Sequence, residues 1–114
     1  PWEGSFFTSL DTADGAIVVG GLRGQMFRTT DAGDTWTVVE KPPTSSIVDS
    51  VRLPDDRLIF VGMAGEILAS TDNGDSFTKL PVTSGDRIYT VAAVGNDALL
   101  VGGPNGIQQV SLSQ

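Results

Sequence analysis

The chain has no cysteine and no histidine among its 114 residues. Disulfides and thiolate nucleophiles are therefore excluded, as are most zinc sites and every catalytic triad that relies on imidazole. The lack of cysteine does not fix a compartment, because reducing and oxidising surroundings both tolerate it. Basic residues are scarce, 7 against 14 acidic ones, for a net charge of −7. An acidic surface repels phosphate backbones and anionic headgroups, so nucleic acid and membrane surfaces are poor partners. No apolar run approaches the roughly 20 residues of a membrane span. No signal peptide is visible, and the opening PWEGSFF reads as the interior of a longer chain. No stretch holds a 3.6-residue apolar period long enough for a helix.

What is present suits one folded domain rich in turns: 39% hydrophobic residues, 18% charged, 14 glycines and 6 prolines. The phrase RTTDAGDTW at residues 28–36 returns as ASTDNGDSF at residues 69–77, a shift of 41. The same shift lays Ser9 on Ser50, Asp14 on Asp55, Gly21 on Gly62 and Gly24 on Gly65 without a gap. A second shift lays Leu58 on Leu99, Gly62 on Gly103 and Gly65 on Gly106. A fixed period of this length marks a repeat architecture, here with units 6–46, 47–87 and 88–114.

Each unit reads as strands. A β-rich run (6–12, 47–53, 88–94) leads through a turn into an apolar strand: AIVVG, RLIFVG or ALLVG. Unbroken apolar strands of this kind imply burial on both faces. The links GLRG, MAG and PNG make a hairpin into a third strand, residues 66–71 in the second unit. The repeated phrase makes the next hairpin, and residues 35–39 and 76–80 form a fourth strand. The third unit stops after three strands. Four antiparallel strands per unit predict an all-β fold, a partial β-propeller of about 2.7 four-stranded blades.

The phrase itself is a corner. Asp31 and Asp72 can accept hydrogen bonds from the turn's own N–H groups. Gly33 and Gly74 can take a positive φ, and Thr29 and Ser70 place hydroxyls nearby. Trp36 and Phe77 are expected to drop a ring between neighbouring blades.

The pattern Ser/Thr-x-Asp-x-Gly-x-Thr/Ser-Trp/Phe is carried by Thr29, Asp31, Gly33, Thr35 and Trp36, and again by Ser70, Asp72, Gly74, Ser76 and Phe77. It resembles the Asp-box, or BNR repeat, of sialidases and of many non-catalytic propellers. The wider units VGGLRGQMFRTTDAGDTW, VGMAGEILASTDNGDSF and LLVGGPNGI resemble the photosystem II stability/assembly factor-like family. The resemblance covers nearly the whole chain. It implies a protein-interaction or assembly scaffold without cofactor, located outside the cytoplasm in the periplasm, lumen or medium. The alternatives are part of a sialidase-like or other glycoside hydrolase, or a carbohydrate-binding propeller, so a glycan partner stays possible.

Antiparallel order sorts the loops onto two rims. One holds Arg23, Lys41 and Arg87 among Glu40, Glu66 and Asp86, a candidate partner-binding patch or simply solvated charge. The other holds Asp14, Asp55, Asp56, Asp97 and both corners, and is expected to be strongly acidic. For sialidase chemistry, VRLP at residues 51–54 echoes an arginine motif of that family through Arg52. The lone tyrosine, Tyr89, falls in an innermost-strand pattern and reads as a core residue or, less simply, a nucleophile. DNGD at residues 72–75 resembles part of a calcium loop, but Thr83 stands where an EF-hand needs glutamate, and a hairpin turn explains the residues. No catalytic residue, metal site or cofactor is assigned. A propeller closes with at least four blades. The chain is thus expected to be the C-terminal part of a longer propeller or to join other copies of itself, with apolar faces inviting association.

Overall fold

A computed structural model describes residues 5–81 and 86–112. The reading of the opening residues 1–4 and the Thr83 comparison lie outside the described residues. The fold is all-β, three antiparallel sheets of four, four and three strands with no α-helix among the described residues. Unit 1 is β1 (Phe6–Asp11), β2 (Ile17–Gly21), β3 (Met26–Thr29) and β4 (Thr37–Val38), paired in that order. Unit 2 repeats it with β5 (Ile47–Arg52), β6 (Leu58–Gly62), β7 (Ile67–Ser70) and β8 (Thr78–Lys79). Unit 3 has β9 (Thr90–Val94), β10 (Ala98–Gly103) and β11 (Gly106–Ser111).

The sheets pack side by side, with β1 beside β5 and β5 beside β9. Two seams result. The first joins Val18, Met26 and Val39 of unit 1 to Ile47, Leu58, Phe60, Leu68 and Phe77 of unit 2. The second joins Leu53, Ile59, Val61 and Ile67 of unit 2 to Ile88, Val91, Leu99, Val101 and Val110 of unit 3. Side chains alternate between strand faces, so one face of the middle sheet lines each seam.

This arrangement corrects the expectation of two-sided burial. Of the three second strands only β6 is buried at every position; in β2 only alternate residues are buried until the glycines, and Leu100 interrupts the burial of β10. The reason is that each flanking sheet has a neighbour on one side only. Other boundaries also move. The fourth strands are two residues long rather than five, and β9 starts at Thr90, leaving Tyr89 half exposed rather than in a core. The first strands of units 1 and 2 bulge just before their second pairing, at Phe7 and Val48, and Tyr89 is the repeat counterpart of both.

The third hairpin breaks the 41-residue register. In unit 2, Val61 pairs with Ile67; in unit 3 its counterpart Gly102 pairs with Ile107, one residue early. Gly103 and Gly106 close directly around Pro104 and Asn105, a shorter link than the one between Gly62 and Glu66. A one-residue slip exchanges strand faces. Val110 consequently turns onto the buried side opposite Leu99, and Ile107 turns outward.

Candidate functional site

The two corners have the same internal bonding. In the first, the Thr29 hydroxyl donates to Asp31 Oδ1 at 2.7 Å and accepts from Gly33 N at 3.0 Å. Asp31 Oδ1 also accepts from Thr35 N at 2.8 Å, and Oδ2 from the Thr35 hydroxyl. In the second, Ser70 donates to Asp72 Oδ1 at 2.7 Å and accepts from Gly74 N at 2.9 Å. Ser76 then donates to Asp72 through N at 3.0 Å and through its hydroxyl at 2.6 Å. Thr29 and Ser70 are buried polar groups, and these bonds satisfy them. The positive φ falls on pairs of residues, Ala32 with Gly33 and Asn73 with Gly74.

Hydrogen bonds from the Thr35 hydroxyl, the Thr35 N–H and the Thr29 hydroxyl lower the Asp31 pKa from the usual 3.8 to about 2. At Asp72 burial pushes the other way, but the bonds from Ser76 and Ser70 prevail and its pKa is also lowered. Glu66 is lowered too: burial opposes, while the Ser45 hydroxyl and N–H, donating at 2.6 and 2.8 Å, outweigh it. The Asp14 carboxyl is lowered chiefly by the Thr12 hydroxyl. These carboxylates are held ionised. A general acid for glycoside hydrolysis needs the opposite shift.

The aromatic residues of the corners differ. Phe77 lies buried in the first seam, edge-to-face with Phe60 at 5.3 Å between centroids and 84° between planes. Trp36 is half-buried, its Nε1–H donating to the Gly33 carbonyl at 3.1 Å, on a face with no neighbouring sheet among the described residues. The expected wedge between neighbours forms at Phe77 alone.

The rim residues do not converge. Arg23 and Lys41 line one cleft of about 420 Å³ with Phe27 and Val38. Arg87 lines another of about 670 Å³ with Asp86, Met63, Asn105, Ser45 and Ser46. Arg23 adopts φ 61 in a 3-10 turn, Leu22–Gly24, and its N–H donates to the Ser46 hydroxyl at 3.0 Å. Burial lowers the Lys41 pKa against the pull of Glu66. Arg87 rests against Met63 Sδ at 3.8 Å.

Three arginines assigned to no rim by the sequence change the character of the acidic one. Arg28 pairs with Asp14 at 3.1 Å and donates through Nε to the Asn73 carbonyl of unit 2 at 2.9 Å. Arg57 pairs with Asp55 at 2.9 Å and donates to the Asn96 carbonyl of unit 3. Arg52 pairs with Asp56 at 2.8 Å and reaches the Asp11 carbonyl of unit 1 at 3.5 Å. These arginines clamp neighbouring turns, and the rim is not purely acidic. Arg52 thus has a structural partner. A signal for Arg28 was its place at the head of the repeated phrase, where unit 2 has Ala69. Among the described residues no group of three His, Cys, Asp or Glu is placed to hold a metal ion. No helix among them is long and apolar enough to cross a membrane.

Compared with models of protein families and with curated proteins, the chain matches none.

Proposed function

We propose that the chain is a segment of an Asp-box β-propeller related to the photosystem II stability/assembly factor-like family, acting as a protein-interaction or assembly scaffold outside the cytoplasm. The observation that carries this reading is the state of the flanking sheets. Phe6, Phe27, Val38 and Trp36 on one end, and Val94, Leu100 and Ile107 on the other, are large apolar side chains left half or more exposed, or only partly covered. Such faces mark contact surfaces rather than solvent boundaries. The gapless repeat, the two identically bonded corners and the adjacency of the first strands support the propeller. The lowered carboxylates and the absence of imidazole and thiol favour binding over turnover.

Assays against fluorogenic sialosides and related glycosides, together with a glycan array, test the reading. No turnover above buffer and no saturable glycan binding are expected. Turnover that disappears when one carboxylate is replaced overturns it. The location is tested by fractionating the source cell, where recovery in the cytoplasm alone removes that part.

A further inference from the structure

We infer that Asn105 is a site of spontaneous chemical modification, an asparagine that loses its amide and recharges the cleft beside it, while Asn73, in the same sequence setting, is locked against the reaction. The inference stands on the two turns and not on the proposed function.

The chain has three asparagines, and two of them, Asn73 and Asn105, are followed by glycine. In such a pair the glycine backbone nitrogen can bond to the asparagine Cγ, because no Cβ on the glycine obstructs the approach. The Cγ–Nδ2 bond breaks, and Nδ2 leaves as ammonia with the proton that the glycine nitrogen gives up. Water, the only co-reactant, then opens the resulting five-membered imide on either side. Cleavage at Cγ leaves an aspartate. Cleavage at the backbone carbonyl leaves an isoaspartate, whose main chain is one methylene longer.

The two sites share a sequence and differ in their surroundings. At Asn73 the attacking nitrogen is engaged, because Gly74 N donates to the Ser70 hydroxyl at 2.9 Å in a buried corner. Gly74 is also pressed against unit 1, where an added Cβ would collide with Val18 Cγ2. The Asn73 carbonyl accepts from Arg28 Nε at 2.9 Å, and the residue sits at φ 60. Ring closure there must turn the peptide plane between Asn73 and Gly74, which orphans a buried donor and breaks the arginine clamp. Asn105 lies instead at the tip of the β10–β11 hairpin, exposed and outside the left-handed region, and its Nδ2 donates to Asp86 Oδ1 at a long 3.5 Å. Gly106 belongs to the last backbone pairing of that hairpin, with Gly103, where opening costs less than in a packed seam. The place itself is an exposed one: Ala64, the repeat counterpart of Asn105, is exposed although unit 3 packs beside unit 2.

Asn105 lines the cleft of about 670 Å³ together with Asp86 and Arg87. Among the described residues these two are its charged side chains, and they balance. After the reaction a carboxylate faces Asp86 where an amide donated, so the cleft turns negative and the hairpin tip is pushed away from Asp86. An anionic group drawn to Arg87 is then repelled, and contacts at this part of the rim change with the age of the chain.

Peptide mapping by mass spectrometry of the folded chain, aged at neutral pH, tests this. The peptide holding Asn105 is expected to gain the mass of an amide-to-acid exchange, with isoaspartate among the products and ammonia released in step. Isoelectric focusing should show one added negative charge. Asn73 is expected to react at least about tenfold more slowly, in line with the cost of orphaning a buried donor. In urea that unfolds the chain the two sites should react at similar rates, since each is an Asn-Gly pair. Asn105→Gln, at an exposed position, is expected to abolish the early charge change. Ser70→Ala, which frees Gly74 N, is expected to speed the reaction at Asn73 several-fold. Should that variant fold poorly, the ratio of the two rates in the folded and unfolded wild-type chain still decides. Equal rates at the two sites in the folded chain overturn the locking of Asn73. Reaction of Asn105 in urea alone overturns the site.

Discussion

The middle sheet and its two neighbours carry the same pattern, yet the inner strands of the middle sheet, β6 and β7, are buried on both faces and their counterparts on one. β6 buries all five of its residues, whereas Ile17 and Val19 of β2 stay partly exposed although they are just as apolar. The difference lies in what surrounds each sheet and not in what each is made of. Repeat proteins behave in this way, since each unit's stability is its own plus that of its interfaces. The corners make the comparison sharpest. One bonding scheme holds Asp31 and Asp72, but only the second corner is pressed into a seam.

The largest effect should come from the rings. Phe77→Ala removes a buried side chain packed edge-to-face on Phe60 and is expected to cost about 3–5 kcal/mol. Trp36→Ala, at a half-buried position, is expected to cost about 1–2 kcal/mol in the dilute chain. Urea unfolding followed by circular dichroism gives both. Equal losses would mean that the face of unit 1 is covered within a single chain, and the comparison would break.

Glycine comes next. Gly33 and Gly74 sit at φ 96 and 86, so alanine strains either corner by about 1–2 kcal/mol. At Gly74 the new methyl also collides with Val18, adding about 1–3 kcal/mol of overpacking. Gly74→Ala should therefore destabilise clearly more than Gly33→Ala in the same urea measurement. Similar values would place the seam farther from the second corner.

Much of this was legible in the residues. The period, the strand order within each unit and the turn at each Asp and Gly follow from spacing and side-chain type. The covering of each face does not, because an apolar strand states that it can be buried on both sides and not that a neighbour is present. Ala32 and Asn73 were hidden as left-handed residues between an aspartate and a glycine that drew the explanation. The slip in unit 3 was hidden because Gly103 and Gly106 stand as far apart in the chain as Gly62 and Gly65. The signal was Pro104 followed by Asn105, a pair suited to a tighter turn than Met63 and Ala64. The arginine clamps were missed because their acceptors are backbone carbonyls in a neighbouring unit, which no side-chain pattern reveals. Arg23, Lys41 and Arg87 share a rim by strand order, but sequence cannot say that Arg87 opens onto a separate cleft.

The clamps give a smaller effect. Arg28 is 15% exposed and reaches across the first seam to the Asn73 carbonyl, so Arg28→Ala is expected to cost about 1–2 kcal/mol. Arg52 is 37% exposed with a half-exposed partner, and Arg52→Ala should cost about 0.5 kcal/mol or less. A large loss at Arg52 would show that the clamp to the Asp11 carbonyl, long at 3.5 Å, is tighter in solution.

The smallest effect is the most discriminating between the corners. The Asp31 carboxyl has a pKa of about 2 in the folded chain against a usual 3.8. A depressed carboxyl stabilises the fold when ionised, so its contribution is complete above the usual value and fades as pH falls through the folded one. Asp72 is displaced in the same direction, so both corners lose support on the acid side of pH 3.8. Carboxyl NMR should find Asp31 titrating near 2, and Asp31→Asn should flatten the fall in urea midpoint between about pH 4 and 2. The sign matters because Asp31 is exposed and stands in the corner without a covering sheet. Its low pKa comes chiefly from Thr35 and Thr29, within the corner itself, and therefore requires that the open corner be fully folded in the free chain. A titration at the ordinary aspartate value would mean that this corner forms only when another sheet closes over Trp36, and the two corners would then differ in folding as well as in burial.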